Sequence, residues 1–190
     1  MIAMKKFLLS ALLLMALTSC EKLFSDDPFE QFLARPNFSP KKDMIWDFSP
    51  TVFMIMVSDS EGNDLMDPDF EGNWLERPIK GTFDGKTYEG IVTKAAIDEP
   101  QTKMYLALIK GFYIYSYDYT HTDQYILTFG ELDSAKKWDT DLIIDWPDNT
   151  RDVIRVQHAY RWKLDGHPEF YTGFKLNGEP VEDKIIHLQK

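Results

Sequence analysis

Six acidic side chains crowd into residues 59–71: Asp59, Glu61, Asp64, Asp67, Asp69 and Glu71, interleaved with Gly62 and Asn63. Calcium takes about six to eight hard oxygen ligands, so Asp59, Glu61, Asn63 and Asp64 form a weak candidate for a calcium loop. The helix–loop–helix calcium template fits poorly. Alternate ligands at Asp59, Glu61 and Asn63 match, but Gly62 comes early and Phe70 holds the place of the closing glutamate. The competing reading is a hairpin loop whose Asp and Asn side chains cap nearby backbone N–H groups.

The histidines, His121, His158, His167 and His187, show no ligand pair on a shared face and no HExxH pattern. His158 falls on the apolar side of a period-two run, where a hydrogen-bonded core histidine belongs. No Gly-x-Ser-x-Gly elbow and no phosphate-cradling glycine loop is present. Acidic pairs for glycoside hydrolysis arise by number alone in a chain with 31 Asp and Glu. The expectation is a protein with no catalytic residues and no cofactor.

Aromatic residues offer a binding chemistry instead. In an extended strand Tyr113, Tyr115, Tyr117 and Tyr119 share one face, a ladder that stacks on sugars or meets a partner protein if exposed. Trp146 between Asp145 and Asp148 is a second candidate, because an indole beside carboxylates suits a sugar. The competing readings are a core or rim ladder and a plain turn at Trp146-Pro147-Asp148-Asn149-Thr150.

Cys20 is the only cysteine. Ahead of it, Lys5 and Lys6 precede an unbroken apolar and small-residue run over residues 7–17. As a helix that run is roughly 16 Å long, about half of a ~30 Å hydrocarbon core, so it suits a signal peptide and not a membrane span. Leu17-Thr18-Ser19-Cys20 resembles the lipobox of bacterial lipoproteins, in which the thiol is acylated and the chain is cut before the Cys. Each buried CH₂ contributes about 0.8 kcal/mol, so two or three acyl chains anchor firmly. Acylation would also remove the thiol from disulfide, metal and nucleophile chemistry.

The elements that must position these groups read as short strands. Residues 20–43 are polar and broken by Pro28, Pro36 and Pro40, which suggests a flexible tether with one helical turn near residues 29–34. From residue 45 onward, β-runs alternate with turn signals. Residues 51–57 read as a central strand buried on both faces. Residues 79–83 and 86–92 flank Asp84-Gly85, a type I′ hairpin signal. Further runs lie at 103–109, 112–117 and 125–129, with a short helix expected near 134–138. The strongest pattern covers residues 153–163, with Ile154, Val156, His158, Tyr160 and Trp162 on one face. Arg155, Gln157, Arg161 and Lys163 line the other, expected to be wet. Asn177-Gly178 joins the last pair, 170–176 and 184–188. The fold class is all-β, mainly antiparallel: a β-sandwich (immunoglobulin-like) or an open barrel. The domain plan is leader 1–19, acylated Cys and tether 20–43, and one domain over 44–190.

The chain carries 21 Lys and Arg against its 31 acids, and losing the leader with Lys5 and Lys6 makes it more acidic still. Such a domain is repelled by phosphate backbones, so no nucleic-acid partner is expected.

Several segments resemble a group of small Bacteroidetes outer-membrane lipoproteins with a β-rich mature domain. They are the lipobox, Trp46-Asp47-Phe48-Ser49-Pro50, residues 58–68, Gly85-Lys86-Thr87-Tyr88-Glu89, residues 145–152 and Leu176-Asn177-Gly178. The resemblance implies an envelope location and carries over no functional residues. The expected role is a non-catalytic binding or assembly module, lipid-anchored in the outer membrane at its periplasmic face or on the cell surface, whose partner is a glycan or another envelope protein. A pilin-like structural or adhesive subunit is the alternative, and a hydrolase with a dispersed acidic site comes third.

Overall fold

Turns that few residue types tolerate set the strand pairing. Asp84 and Gly85 adopt φ of 48° and 72°, and Asn177 and Gly178 adopt 51° and 95°, the left-handed pair a type I′ hairpin requires. In the computed structural model, residues 25–90, 93–94, 109, 111–116 and 124–190 are described. The leader, Cys20, most of the run 103–109, Tyr117 and Tyr119 lie outside the described residues, as does the side chain of Tyr115.

The protein is an all-β sandwich of two sheets, not a closed barrel. The first sheet has the order β11-β1-β6-β5-β4, with β1 (Thr51–Ser58), β4 (Thr93–Lys94), β5 (Phe112–Ser116), β6 (Tyr125–Leu132) and β11 (Ile185–Gln189). The second has the order β10-β9-β8-β7-β2-β3. Its strands are β2 (Ile79–Phe83), β3 (Lys86–Gly90), β7 (Trp138–Asp145), β8 (Arg151–Trp162), β9 (Pro168–Leu176) and β10 (Glu179–Val181). All pairings are antiparallel except β1 with β11 and β4 with β5.

The inner faces meet in an aromatic core. Phe53, at the centre of β1, lies 5.7 Å from Phe83, 6.0 Å from Phe129 and 5.5 Å from Phe174, ring centre to ring centre. Tilted and edge-on contacts of this kind hold a core together with no disulfide.

Three expectations change. β1 is central, between β11 and β6, but it is not buried on both faces. Phe53, Ile55 and Val57 face the core while Val52, Met54 and Met56 are half-covered, as in a sheet with one layer behind it. No helix forms at residues 134–138. Asp133 there accepts from the N–H of Ala135 at 2.9 Å, and its carbonyl accepts from Lys136 at 3.0 Å, making a tight turn into β7. Such side-chain capping competes with helix propagation.

The third change concerns the tether. Within it, α1 (Pro28–Ala34) lies docked on the outer face of β8 and β9. Asp27 caps it, accepting from Phe29 N–H at 2.8 Å, and Pro28 begins it. Phe29 (0% exposed) and Phe32 (5%) pack on Ala159 and on the ring of Tyr171, at 5.3 Å and 5.8 Å. The face of β8 expected to be wet is therefore covered at Gln157 and Ala159. Ion pairs from Asp27 to Lys175 and from Arg35 to Glu169, each at 3.1 Å, fasten the two ends of the helix.

Candidate functional site

β7 ends its pairing with β8 at Trp138 opposite His158, while β8 and β9 remain paired as far as Trp162 opposite Pro168. The β8–β9 hairpin thus overhangs the sandwich, and its free β8 edge needs a partner. The N-terminal segment supplies one. Phe38 N–H donates to the Trp162 carbonyl at 3.0 Å, Trp162 N–H donates to Asn37 Oδ1 at 2.8 Å, and Lys41 N–H donates to the Gly166 carbonyl at 3.1 Å. At the hairpin turn Gly166 has φ of 76°, and a Cβ there would lie 2.8 Å from the Lys41 backbone nitrogen, so glycine is needed on both counts.

Having crossed the edge, the chain lies over the other face of the overhang. Trp46 packs on Trp162 at 5.6 Å and on His167 at 5.2 Å, and Phe48 packs on Tyr160 at 5.5 Å and Phe170 at 4.9 Å. The hairpin is therefore gripped by α1 on one face and by Trp46 and Phe48 on the other. This strap is the least self-contained part of the surface. All the large hydrophobic residues that are exposed among the described residues belong to it or to the hairpin: Phe38 (43%), Met44 (44%), Ile45 (98%), Leu164 (83%) and Phe170 (42%). The buried side-chain N–H groups that lack an acceptor, Trp46 Nε1 and Arg161 Nε, lie here as well. Scattered apolar residues are ordinary on a protein surface, whereas a cluster of them marks an interaction site.

The candidates from sequence fare differently. In the acidic loop Asp59, Asp64 and Asp67 turn their carboxylates to the backbone. Asp59 Oδ1 accepts from Glu61 and Asn63 N–H at 2.9 Å each, and its Oδ2 accepts from Asn63 Nδ2 at 2.8 Å. The Asn63 bond and these backbone donors hold the Asp59 carboxyl below its usual range. Asp64 accepts from Met66 N–H at 2.8 Å and Tyr125 N–H at 2.7 Å, although burial outweighs these bonds and raises its pKa. This is the capping reading of the loop, and Glu61 makes no shared cage with the others. Among the described residues no three His, Cys, Asp or Glu side chains converge to hold a metal.

Trp146 is 3% exposed, so its ring is not a floor for a sugar. Its indole N–H donates to Asp152 Oδ2 at 2.7 Å, and its ring stacks near Trp74 and beneath the Lys190 ammonium. Asp145 instead pairs with Arg151 at 2.6 Å on the surface. Of the tyrosine ladder, Tyr113 lies on the opposite face of β5 from core-facing Phe112 and Ile114, and it is half-buried there. Tyr113 thus faces away from the core in which Trp146 lies. No periodic signal in the sequence marks the strap, because Trp46 and Phe48 stand in a stretch with no strand period.

His158 is 2% exposed and sits among hydroxyls. Its Nδ1 lies 2.7 Å from Thr172 Oγ1 and 3.3 Å from Thr51 Oγ1, and its Nε2 lies 3.1 Å from the Ser134 carbonyl. The carbonyl requires a proton on Nε2, which makes Nδ1 the acceptor for Thr172. Thr172 opens on a shallow cleft of about 260 Å³ beside Thr51, so a hydroxyl and a base do meet at a surface. A carbonyl behind the ring supplies no charge to stabilise an imidazolium, and burial lowers the His158 pKa. The group is better suited to joining β1, β8, β9 and the Ser134 turn. Because the folded pKa is depressed, the stability it confers is complete above the unfolded value of about 6.5 and is lost as pH falls below it. Urea midpoints are expected to drop between pH 7.5 and pH 5, and His158→Gln should flatten that dependence. An equally steep profile in the variant would refute the assignment.

Comparison with protein-family models, with curated proteins and with solved structures finds no match for this chain.

Proposed function

We propose that this protein is a non-catalytic envelope lipoprotein, anchored through Cys20 and acting as a binding or assembly module through the strapped end of its β8–β9 hairpin. The observation that carries the reading is the gathering of exposed large hydrophobics at that end. In the acidic loop Asp59 and Asp64, and in the core His158, have their polar atoms engaged by their own fold. Glycan capture gains little from the geometry: the most exposed members, Ile45 and Leu164, lack the flat face that stacks on a sugar ring. A pilin-like subunit is favoured less, because the N-terminal segment is bound along its own domain.

Two measurements test the reading separately. Wild type is expected to incorporate labelled palmitate and Cys20→Ser to incorporate none; equal labelling would remove the anchor. A photo-crosslinking residue at Leu164 is expected to form adducts with another envelope component in whole cells. The same residue at Glu89, on exposed edge strand β3, serves as the control. Adducts from Glu89 as abundant as those from Leu164 would remove the assigned surface.

A further inference from the structure

The shape of the hairpin end points to what it touches. Its most exposed apolar points are aliphatic and protruding, Ile45 at 98% exposure and Leu164 at 83%. A protein partner would need a complementary pocket for each, whereas a fluid apolar phase needs no matching shape. Behind them stand Trp46, Trp162 and Tyr160, amphipathic rings of the kind that settle at the boundary between hydrocarbon and water. The local charge is also unlike the rest of the molecule. Lys41, Lys42 and Lys163 offset Asp43, Asp47 and Asp165, so this end is near neutral in a chain whose net charge is −10.

Chain length gives an independent argument. α1 runs along the hairpin toward its tip, from an Asp27–Lys175 pair to an Arg35–Glu169 pair. The eight helical steps from Asp27 to Arg35 advance about 12 Å, and the strand from Glu169 to the turn adds roughly 10–14 Å, so the tip lies on the order of 25 Å beyond Asp27. The stretch from Cys20 to Asp27 can span at most about 25 Å. Acyl chains on Cys20 and the side chains of Ile45 and Leu164 can thus reach one membrane plane. Because the strap takes up most of the tether, the domain is held close to that plane.

We propose that the strapped hairpin end is a second membrane contact, which inserts Ile45 and Leu164 into the interface of the bilayer that receives the Cys20 lipid. This rests on the anchored-module reading and names the partner of the same surface. It makes the domain a membrane-apposed body with a defined orientation, with the opposite end, around Trp146 and Lys190, turned to the aqueous side.

The test uses the lipidated protein reconstituted in phosphatidylethanolamine–phosphatidylglycerol vesicles containing acyl-brominated lipid. Bromine quenches only tryptophans near the hydrocarbon, and Trp46 and Trp162 are the indoles at the hairpin end. Wild type is expected to float with the vesicles and to be quenched. Ile45→Asp/Leu164→Asp is expected to float equally and to lose most of the quenching. Floating wild type without quenching, or a variant quenched as strongly, overturns the proposal. Cys20→Ser protein added to the same vesicles provides a readout independent of the anchor. Weak, saturable quenching is expected, reduced at least tenfold in affinity by the two aspartates, and a flat titration would count against the contact whatever the fate of the lipid. Crosslinking from Leu164 to a single protein, without lipid quenching, would assign the surface to a protein partner and overturn the bilayer assignment.

Discussion

Asp152→Ala is expected to destabilise the protein by about 3–5 kcal/mol, a loss of roughly 10 °C in Tm for a domain of this size. The Asp152 and Lys190 side chains are 9% and 8% exposed and form an ion pair at the end of the sandwich. Asn177 Nδ2 donates to Asp152 Oδ1 at 2.8 Å, Trp146 Nε1 donates to Oδ2, and Lys190 Nζ also reaches Thr150 Oγ1 at 3.1 Å. Removing the carboxylate strands a buried ammonium and an indole N–H together, which is why the cost exceeds that of a surface pair. Burial works to raise the Asp152 pKa, but the Asn177, Lys190 and Trp146 hydrogen bonds and the Lys190 charge outweigh it and hold the pKa low. A depressed carboxyl pKa confers stability that is present above the unfolded value of about 3.9 and is lost as pH falls through the folded one. Wild type should therefore lose more stability below pH 4 than Asp152→Ala does. Urea unfolding of wild type, Asp152→Ala, Lys190→Met and the double variant measures both effects. A single-variant loss under about 1 kcal/mol, or strict additivity of the two, would show that the pair does not act as a unit.

Phe29→Ala is expected to release the strap and leave the sandwich folded. Truncating a fully buried Phe costs about 3–5 kcal/mol, and a seven-residue helix has little stability once its packing is gone. The loss is local because α1 rests on the outside of β8 and β9, away from the Phe53–Phe129 core. Hydrogen exchange should show the amides of Phe38, Lys41 and Trp162 losing protection while the β1–β6 ladder keeps it. Wild-type protection at those amides would mean that the strap does not depend on α1. Loss of protection throughout would make it part of the core. In the lipidated protein, release would also lengthen the tether and free Ile45 from the plane in which Leu164 lies.

Much of the second sheet can be read directly from residues. Asp84-Gly85 and Asn177-Gly178 mark hairpins because few other pairs accept two left-handed conformations. The period of residues 153–163 identifies β8 and its core face, since a strand with one apolar face can be turned only one way. His158, on that face, is a satisfied core residue as its position implies. The strap was less legible. A helical turn near residues 29–34 is legible, since Phe29, Phe32 and Leu33 have the spacing of a helix face and Asp27-Pro28 is a helix start. The flanking prolines read as a tether, and nothing local says that the turn docks on β8 and β9. Val153 and Ala159 are apolar on the otherwise polar outer face of β8, and Ala159 is where the helix covers it.

The amino-acid sequence alone determined the all-β class, the two left-handed hairpin turns and the core face of β8. These are consequences of backbone preference and local alternation, which act over a few residues. Tertiary structure decided which aromatics are surface and which are core. Trp146, flanked by acids, is buried because Asp152 and Lys190 close over it, and Ile45 is bare because nothing in the described fold lies beyond the hairpin tip. Those outcomes depend on contacts between residues far apart in the chain, such as Phe38 with Trp162 and Trp146 with Lys190, whose pairing no local pattern encodes.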